Sequence, residues 1–590
     1  MSMHDTKFSV NRRWTAARSV EPGVWSVWRV GARGLYSVLC LFLAALIGGC
    51  AGISSDAQPL RFTASPTILQ NPNPSVPLAA IVRFEVNQPV CTVVEVSDGE
   101  YRWALWYDNT QDTRKGLPVI GMRPDRDHTI VVRVEDAHAN SVESGSMTYR
   151  TPPLPDDAAE FPAIEVKTYD AKAVEPGYTV FNPRRRIPDP ADRPPGEEIK
   201  TFNQGFGMLA AVDERGEVVW YYRGDSRISD FRFLRNGNIV FITQDNRFLE
   251  IDLLGNVVTQ WYAAGRPEGG GSGIPVDTLT FHHCVDETPD GGFIILGTDR
   301  HRIDDYYTSA TDPDAPRRAQ WVMGDEIIEF DRGGNVLWRW NAFDHLDPFR
   351  IGYQTFSGYW KRRGWPKTVD WTHANSVSYL ADDNAVLCNM RYQSAILKID
   401  RETGRILWIA GEPTGWLSKL QDRLLRPANF DLWFWHQHAP EMTPQGTIIL
   451  FNNDNFRARP FDEPEPPSAI RSHAAEYRID EASGVIEKMW SSLAADEQAL
   501  ASWAMGSARV MPETGNVLAG YGFMFQQENI EEATWQNRQQ FKGTTRIREY
   551  TRREPTRLVW QLTLGNRDSA SPVGWNLYGA RRVKQLLQAK

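Results

Sequence analysis

At 590 residues the chain is several times the size of an ordinary domain, which implies two or more domains or one large repetitive one. Its 22 Trp, 45 Gly and 37 Pro favour many short strands and tight turns over long helices, so the composition points to an all-β protein. A formal net charge of −9 spread over the whole length excludes the concentrated basic face of a nucleic-acid binder.

Residues 1–50 read as a secretory signal. Arg12, Arg13, Arg18, Arg29 and Arg33 precede the apolar run LYSVLCLFLAALIGGC, which is too short and one-sided for a comfortable membrane span. Its end, LIGGC, resembles a bacterial lipobox: a hydrophobic position, two small residues and a cysteine. The expectation is a mature chain that starts at an acylated Cys50, exported to the periplasm and held to a membrane by that lipid. Ala51 is not acidic, which favours the outer membrane; an uncleaved anchor is the alternative. Beyond the signal, Cys91, Cys284 and Cys388 lie far apart with no CxxC spacing, so no disulfide framework and no catalytic thiol are expected.

From 55 to 155 the runs LAAIVRFEV, CTVVEVS and HTIVVRVED alternate with turn residues at the spacing of an immunoglobulin-like β-sandwich. TPPLPDDAAEFP and NPRRRIPDPADRPPGEE then read as linker and surface loop. From about 165 to 590 a unit recurs whose close is (I/L)xxxDxxGxVxWxW, as in EIIEFDRGGNVLWRWN and AILKIDRETGRILWIAG. Six such closing strands with period-two alternation and a closing aromatic are the pattern of a six-bladed β-propeller, with LYGARRVKQLL available to close the ring.

Within those repeats the histidines hold a phase. Ten residues before Phe293 stands His283, and ten before Ile448 stands His438; His373 occupies the corresponding entry strand of the repeat between them. Equivalent inner positions of successive blades face one channel, so these three imidazoles are expected to converge, with His436 in support and His282 turned away. His4, His128, His138, His301, His345 and His473 fall off phase. Three imidazoles alone admit a zinc ion with an open fourth position. No carboxylate ligand shares their phase, however, and Arg391, on the strand after His373, would be repelled by a metal. Arg391 instead suits the oxygens of sulfate or phosphate, which makes transfer of an anionic group the second chemistry. A third possibility is a non-enzymatic envelope propeller that binds a glycan or protein partner.

At these residues the chain resembles the bacterial PAPS-independent aryl sulfate sulfotransferases. FHHCVDETPDGG around His283, WTHANSVSY around His373, RYQSAILKIDRETGRILWIAGEPTGW from Arg391 and WFWHQHAPEMTPQG around His438 carry the resemblance, together with NPNPSVPLAAIVRF in the sandwich. It implies a six-bladed propeller with an appended β-sandwich, often a homodimer, working on phenolic sulfate donors and phenol acceptors with neither a nucleotide donor nor a cofactor. It also implies His438 as nucleophile in ping-pong transfer through a sulfohistidine. Arg391, His283 and His373 would hold the sulfuryl oxygens, and one imidazole would protonate the leaving phenolate. Trp433, Phe434, Trp435 and Phe456 are candidate stacking walls. The chain lacks the close cysteine pair that some members carry before the nucleophile, so a disulfide-dependent maturation does not carry over.

Overall fold

The computed structural model describes residues 58–495, 500–525 and 530–587. The signal sequence, Cys40 and Cys50 lie outside them. Residues Leu60–Lys590 form one compact unit.

The N-terminal part is two small sheets. Phe62–Gln70, Ala80–Val86 and Leu117–Val119 make one, while Arg102–Tyr107, Cys91–Ser97, Asp127–Glu135 and Ser141–Glu143 run in order through the other. Val82, Val94, Val96, Ile130, Val132 and Val134 fill the space between them, as alternation along each strand requires. Arg123 ties this part to the first propeller sheet through Asp213 at 2.5 Å and Glu217 at 2.6 Å.

The remainder is a ring of antiparallel sheets, a β-propeller. Six sheets of at least four strands follow one another, and their innermost strands are Gly574–Val583, Ile228–Phe233, His282–Glu287, Ala374–Leu380, His438–Met442 and Ser507–Val510. Each of these touches the next, and Gly574–Val583 touches both Ser507–Val510 and Ile228–Phe233, so the ring closes. The C-terminal strand Gly574–Val583 pairs with Tyr178–Arg186, so the first sheet takes its inner strand from the opposite end of the sequence. LYGARRVKQLL contributes to that strand as expected, whereas NPRRR does not form a surface loop: it ends the strand Tyr178–Arg186.

The Asp–Gly signature, spaced by three residues in three sheets and by four in two, has a physical cause. Asp213, Asp252, Asp331, Asp400 and Asp480 each end a third strand and turn a side-chain oxygen back onto the amides of the following turn. Gly216, Gly255, Gly334, Gly404 and Gly484 then adopt φ of 86°, 85°, 82°, 70° and 66°, which a side chain resists. The closing tryptophans fasten each sheet to the next. Trp220 donates its indole N–H to Leu253, Trp261 to Arg332, Trp340 to Gly404, Trp408 to Glu481 and Trp490 to Thr556, all at 2.9–3.1 Å. Trp560 of the last sheet donates to the carbonyl of Glu214 in the first, at 2.7 Å, and completes the circuit.

Candidate active site

Where the inner strands begin, the register slips. His282–Glu287 carries two extra residues between His282 and Val285, Ala374–Leu380 one between Ala374 and Ser376, and His438–Met442 one between His438 and Glu441. Two slips hold a residue in the left-handed region, His283 at φ 56° and Ala439 at 49°, and His373, at 49°, stands immediately before the third. Such bulges re-aim the adjoining side chain, and non-glycine residues in this conformation are costly enough to concentrate at functional sites. Here they turn His283, His373 and His438 into one cavity of about 280 Å³, which Arg391, just past the end of Ala385–Met390, also lines. All four side chains that the sequence singled out therefore meet, and all four residues are buried.

Each imidazole is held in one tautomer. The side chain of Asn453 donates its N–H2 to the carbonyls of Ser502 at 2.8 Å and Met505 at 2.9 Å, which fixes its oxygen toward His438. That oxygen lies 2.6 Å from Nδ1 of His438, so Nδ1 carries the proton and Nε2 carries the lone pair. The Met505 amide donates to that Nε2 at 3.2 Å, in agreement. Burial, and after it the charge of Arg391, hold His438 well below its ordinary pKa, so it is neutral at pH 7.

His283 reaches Nδ1 of His282 at 2.8 Å, and Nε2 of His282 meets the carbonyl of Gly297 at 3.0 Å. A carbonyl only accepts, so His282 is protonated at Nε2 and accepts from His283 at Nδ1; its role is to orient its neighbour. His373 donates from Nδ1 to Asp370 at 2.5 Å, and the other oxygen of Asp370 accepts from the Trp360 indole at 2.9 Å. Burial lowers the pKa of His373 and Asp370 partly opposes it; His283 is lowered further, by burial and by His373. The rings of His283 and His373 stand 4.8 Å apart. Arg391 donates to Gln354 at 2.7 Å and to the Trp503 carbonyl at 3.2 Å, leaving its buried Nε without a partner.

Some expectations change. His436 does not line the cavity; it packs against Phe456, ring centres 5.0 Å apart, and Tyr392. Trp433 and Phe434 belong to a core cluster between blades, and Phe456 stacks on Trp535 at 3.8 Å. The aromatic walls are instead Tyr359, Tyr392, Trp503, Phe523 and Tyr578. Tyr392 stacks on His373 at 4.4 Å. Cys284 and Cys388 are buried free thiols.

Comparison with known proteins adds the following. A family model described as arylsulfotransferase (ASST) matches residues 164–561, and one described as arylsulfotransferase Ig-like domain matches residues 67–152. Two curated relatives are both called arylsulfate sulfotransferase AssT. The one from Lelliottia amnigena is 25% identical over 333 residues, 47% of this chain and 51% of that protein. The one from Escherichia coli O6:H1 is 24% identical over 334 residues, with the same shares. The chain thus spans about half the length of the curated relatives it matches. Among solved structures, the β-propeller domain of Cps50 (Swd1) from Myceliophteria thermophila aligns over 69% of this chain and 99% of that one, at 10% identity and a TM-score of 0.30.

Proposed function

Because this chain belongs to the arylsulfotransferase family, we propose that it moves a sulfuryl group from a phenolic sulfate ester to a phenol through a sulfohistidine at His438. The observation that carries this reading is the orientation of Asn453. It leaves the His438 lone pair on Nε2, in a cavity shared with a cation and two further imidazoles. A neutral imidazole with a fixed lone pair is a competent nucleophile without a general base.

In the first half-reaction Nε2 of His438 gives up the hydrogen bond from the Met505 amide and forms a bond to sulfur as the S–O bond to the aryl group breaks. Arg391, whose Nε is unpartnered, bears on the sulfuryl oxygens, together with His373 once the bound anion has drawn a proton onto its Nε2. By analogy with phosphoryl transfer, positioned cations do most of the work in so loose a transition state. Binding of the anionic ester draws a proton from solvent onto Nε2 of His373, whose Nδ1 proton stays hydrogen-bonded to Asp370, and this imidazolium gives the Nε2 proton to the departing phenolate, whose conjugate acid has a pKa of about 10. In the second half-reaction a new phenol returns that proton to His373 and takes the sulfuryl group, so charge and protons balance over the cycle. The leader supports export, with Cys50 acylated and the propeller held at the periplasmic side of the outer membrane.

The test is brief exposure of the protein to 4-nitrophenyl sulfate, an acid-free quench, and mass spectrometry of the peptide that contains His438. A mass gain of SO3 on that peptide is expected, along with loss of transfer in a folded His438→Ala variant. Turnover in that variant would overturn the assignment.

A further inference from the structure

The sulfuryl site occupies one side of the cavity; much of the remaining wall is arginine. Arg184 lies two residues before the end of the strand Tyr178–Arg186, Arg227 precedes Ile228–Phe233, and Arg363 closes the short helix Lys361–Arg363. Among the residues lining the cavity the single carboxylate is Asp189, and it pairs with Arg186 at 3.2 Å. No ion pair reaches Arg184, Arg227 or Arg363 among the described residues. Their contacts are to neutral groups. Arg184 donates to the carbonyl of Ile228 at 2.7 Å and lies 4.8 Å from the centre of the Tyr578 ring. Arg227 and Arg363 donate to the same side-chain oxygen of Gln244, at 2.5 Å and 3.0 Å. The buried Nε of Arg227 has no partner.

Three guanidinium groups gathered without a counter-charge are unfavourable in a half-buried site. Arg227 is depressed well below its ordinary pKa by burial and then by Arg184 and Arg363, and Arg184 is lowered to about 10, chiefly by burial and to a lesser extent by Arg363. Arg391 already serves the sulfuryl group, so these cations are surplus to it. Their place is also distinct. Arg363 stacks over the Tyr359 ring at 3.7 Å, and that ring stands 4.6 Å from His373 and 6.0 Å from His283. One aromatic ring therefore separates the cation group from the imidazoles. A planar fork of donors beside an aromatic wall fits a carboxylate or a sulfur oxyanion carried on a ring.

We propose that Arg184, Arg227 and Arg363 form a second anion subsite, and that the aryl substrate carries a further anionic group besides its reacting sulfate ester or phenol. This rests on the sulfotransferase reading above. The second charge is recognised across Tyr359 while the ester sits at His438. A neutral phenyl ring leaves the three cations uncompensated, whereas a second anion neutralises them and gains their forked hydrogen bonds.

The experiment compares three donors at fixed ionic strength: 4-methylphenyl sulfate, 4-(carboxymethyl)phenyl sulfate and 4-(sulfomethyl)phenyl sulfate. A methylene insulates the ring in each, so the leaving phenols stay alike and the comparison reads binding. At least one of the two dianionic donors is expected to show a kcat/KM roughly tenfold or more above the methyl compound, about 1.4 kcal/mol. Which one leads distinguishes a carboxylate from a sulfur oxyanion. In an Arg227→Gln, Arg363→Gln double variant of unchanged thermal midpoint, that ratio is expected to fall toward one. Equal kcat/KM for all three donors in the wild type, or an unchanged ratio in the double variant, overturns the subsite while leaving the transferase reading intact. Calorimetric titration with 4-hydroxyphenylacetate reads the subsite without turnover. Binding that weakens tenfold in the double variant supports the subsite even if no donor is turned over, which would defeat the transferase reading alone; equal binding by both proteins counts against the subsite.

Discussion

Replacing Asn453 by alanine tests whether the nucleophile depends on a chosen tautomer. Asn453 is fully buried, and its oxygen is the acceptor for the His438 Nδ1 proton. Without it, Nδ1–H is an orphaned buried donor, a state that costs about 1–3 kcal/mol. His438 escapes that cost only by moving its proton to Nε2, where it meets the Met505 amide as donor against donor and blocks the attacking lone pair. Either way about 1–3 kcal/mol is added to the barrier of the first half-reaction, which slows it roughly 5- to 150-fold. Single-turnover release of 4-nitrophenol from 4-nitrophenyl sulfate measures that step directly. Asparagine also supports the carbonyls of Ser502 and Met505, so Asn453→Asp, which keeps an acceptor toward His438, is the control and should lose less. A first half-reaction within twofold of wild type in a folded Asn453→Ala protein would refute the tautomer argument.

Asp370→Asn removes the charge behind His373 while keeping the size of the side chain. Transfer from phenyl sulfate, whose phenolate needs a proton, is expected to fall about 100-fold or more, and transfer from 4-nitrophenyl sulfate much less; equal losses would remove His373 as the proton donor. Stability is expected to fall as the pH drops below about 6.5. Burial holds His283, His373, His436, His438 and His473 below that value, so the unfolded chain binds more protons there. His473, brought down to about 4, accounts for about 2 kcal/mol of loss at pH 5. Asp454, pushed up to about 6 by burial, works in the opposite direction and returns about 1.4 kcal/mol. These two already leave a net loss of about 0.6 kcal/mol, to which the four remaining histidines add, and guanidinium unfolding midpoints that stay level from pH 7.5 to 5 would contradict it.

The histidine constellation was legible because a propeller converts sequence phase into spatial coincidence. Residues at one position of successive repeats face one axis, so His283 and His438 could be matched by counting back from the strand starts Phe293 and Ile448. What supports them was not legible. Asn453 and Met505 meet His438 from the next strand and the next sheet, and no local pattern marks such contacts. Tyr359 and Arg363 come from the long connection between Asn341 and Thr368, which interrupts the repeat. Arg184 and Arg186 lie in a charged, proline-flanked run whose composition matches a solvated loop. The run is instead the inner end of a strand facing a cavity. The aromatic run around Trp433 misled for a related reason: hydrophobicity reports burial, and burial between blades and burial at the axis have the same signature.

Ring closure and chemistry are linked through the bulges. A left-handed histidine at the head of an inner strand is costly and survives only if the strands beside it cannot relax. In an open sheet the bulged strand would be free to slip by a residue. Here His282–Glu287 is clamped between Ile228–Phe233 and Ala374–Leu380, and the whole ring is fastened at its rim by six tryptophan hydrogen bonds, the last joining Trp560 to Glu214. Slippage in one sheet would have to break that circuit. The same rigidity keeps solvent from following the imidazoles inward, so burial depresses their pKa values and leaves His438 neutral beside Arg391. For the proposed role of His438 as an uncharged nucleophile next to a cation, a closed propeller with its site on the axis supplies a scaffold with no free edge near it.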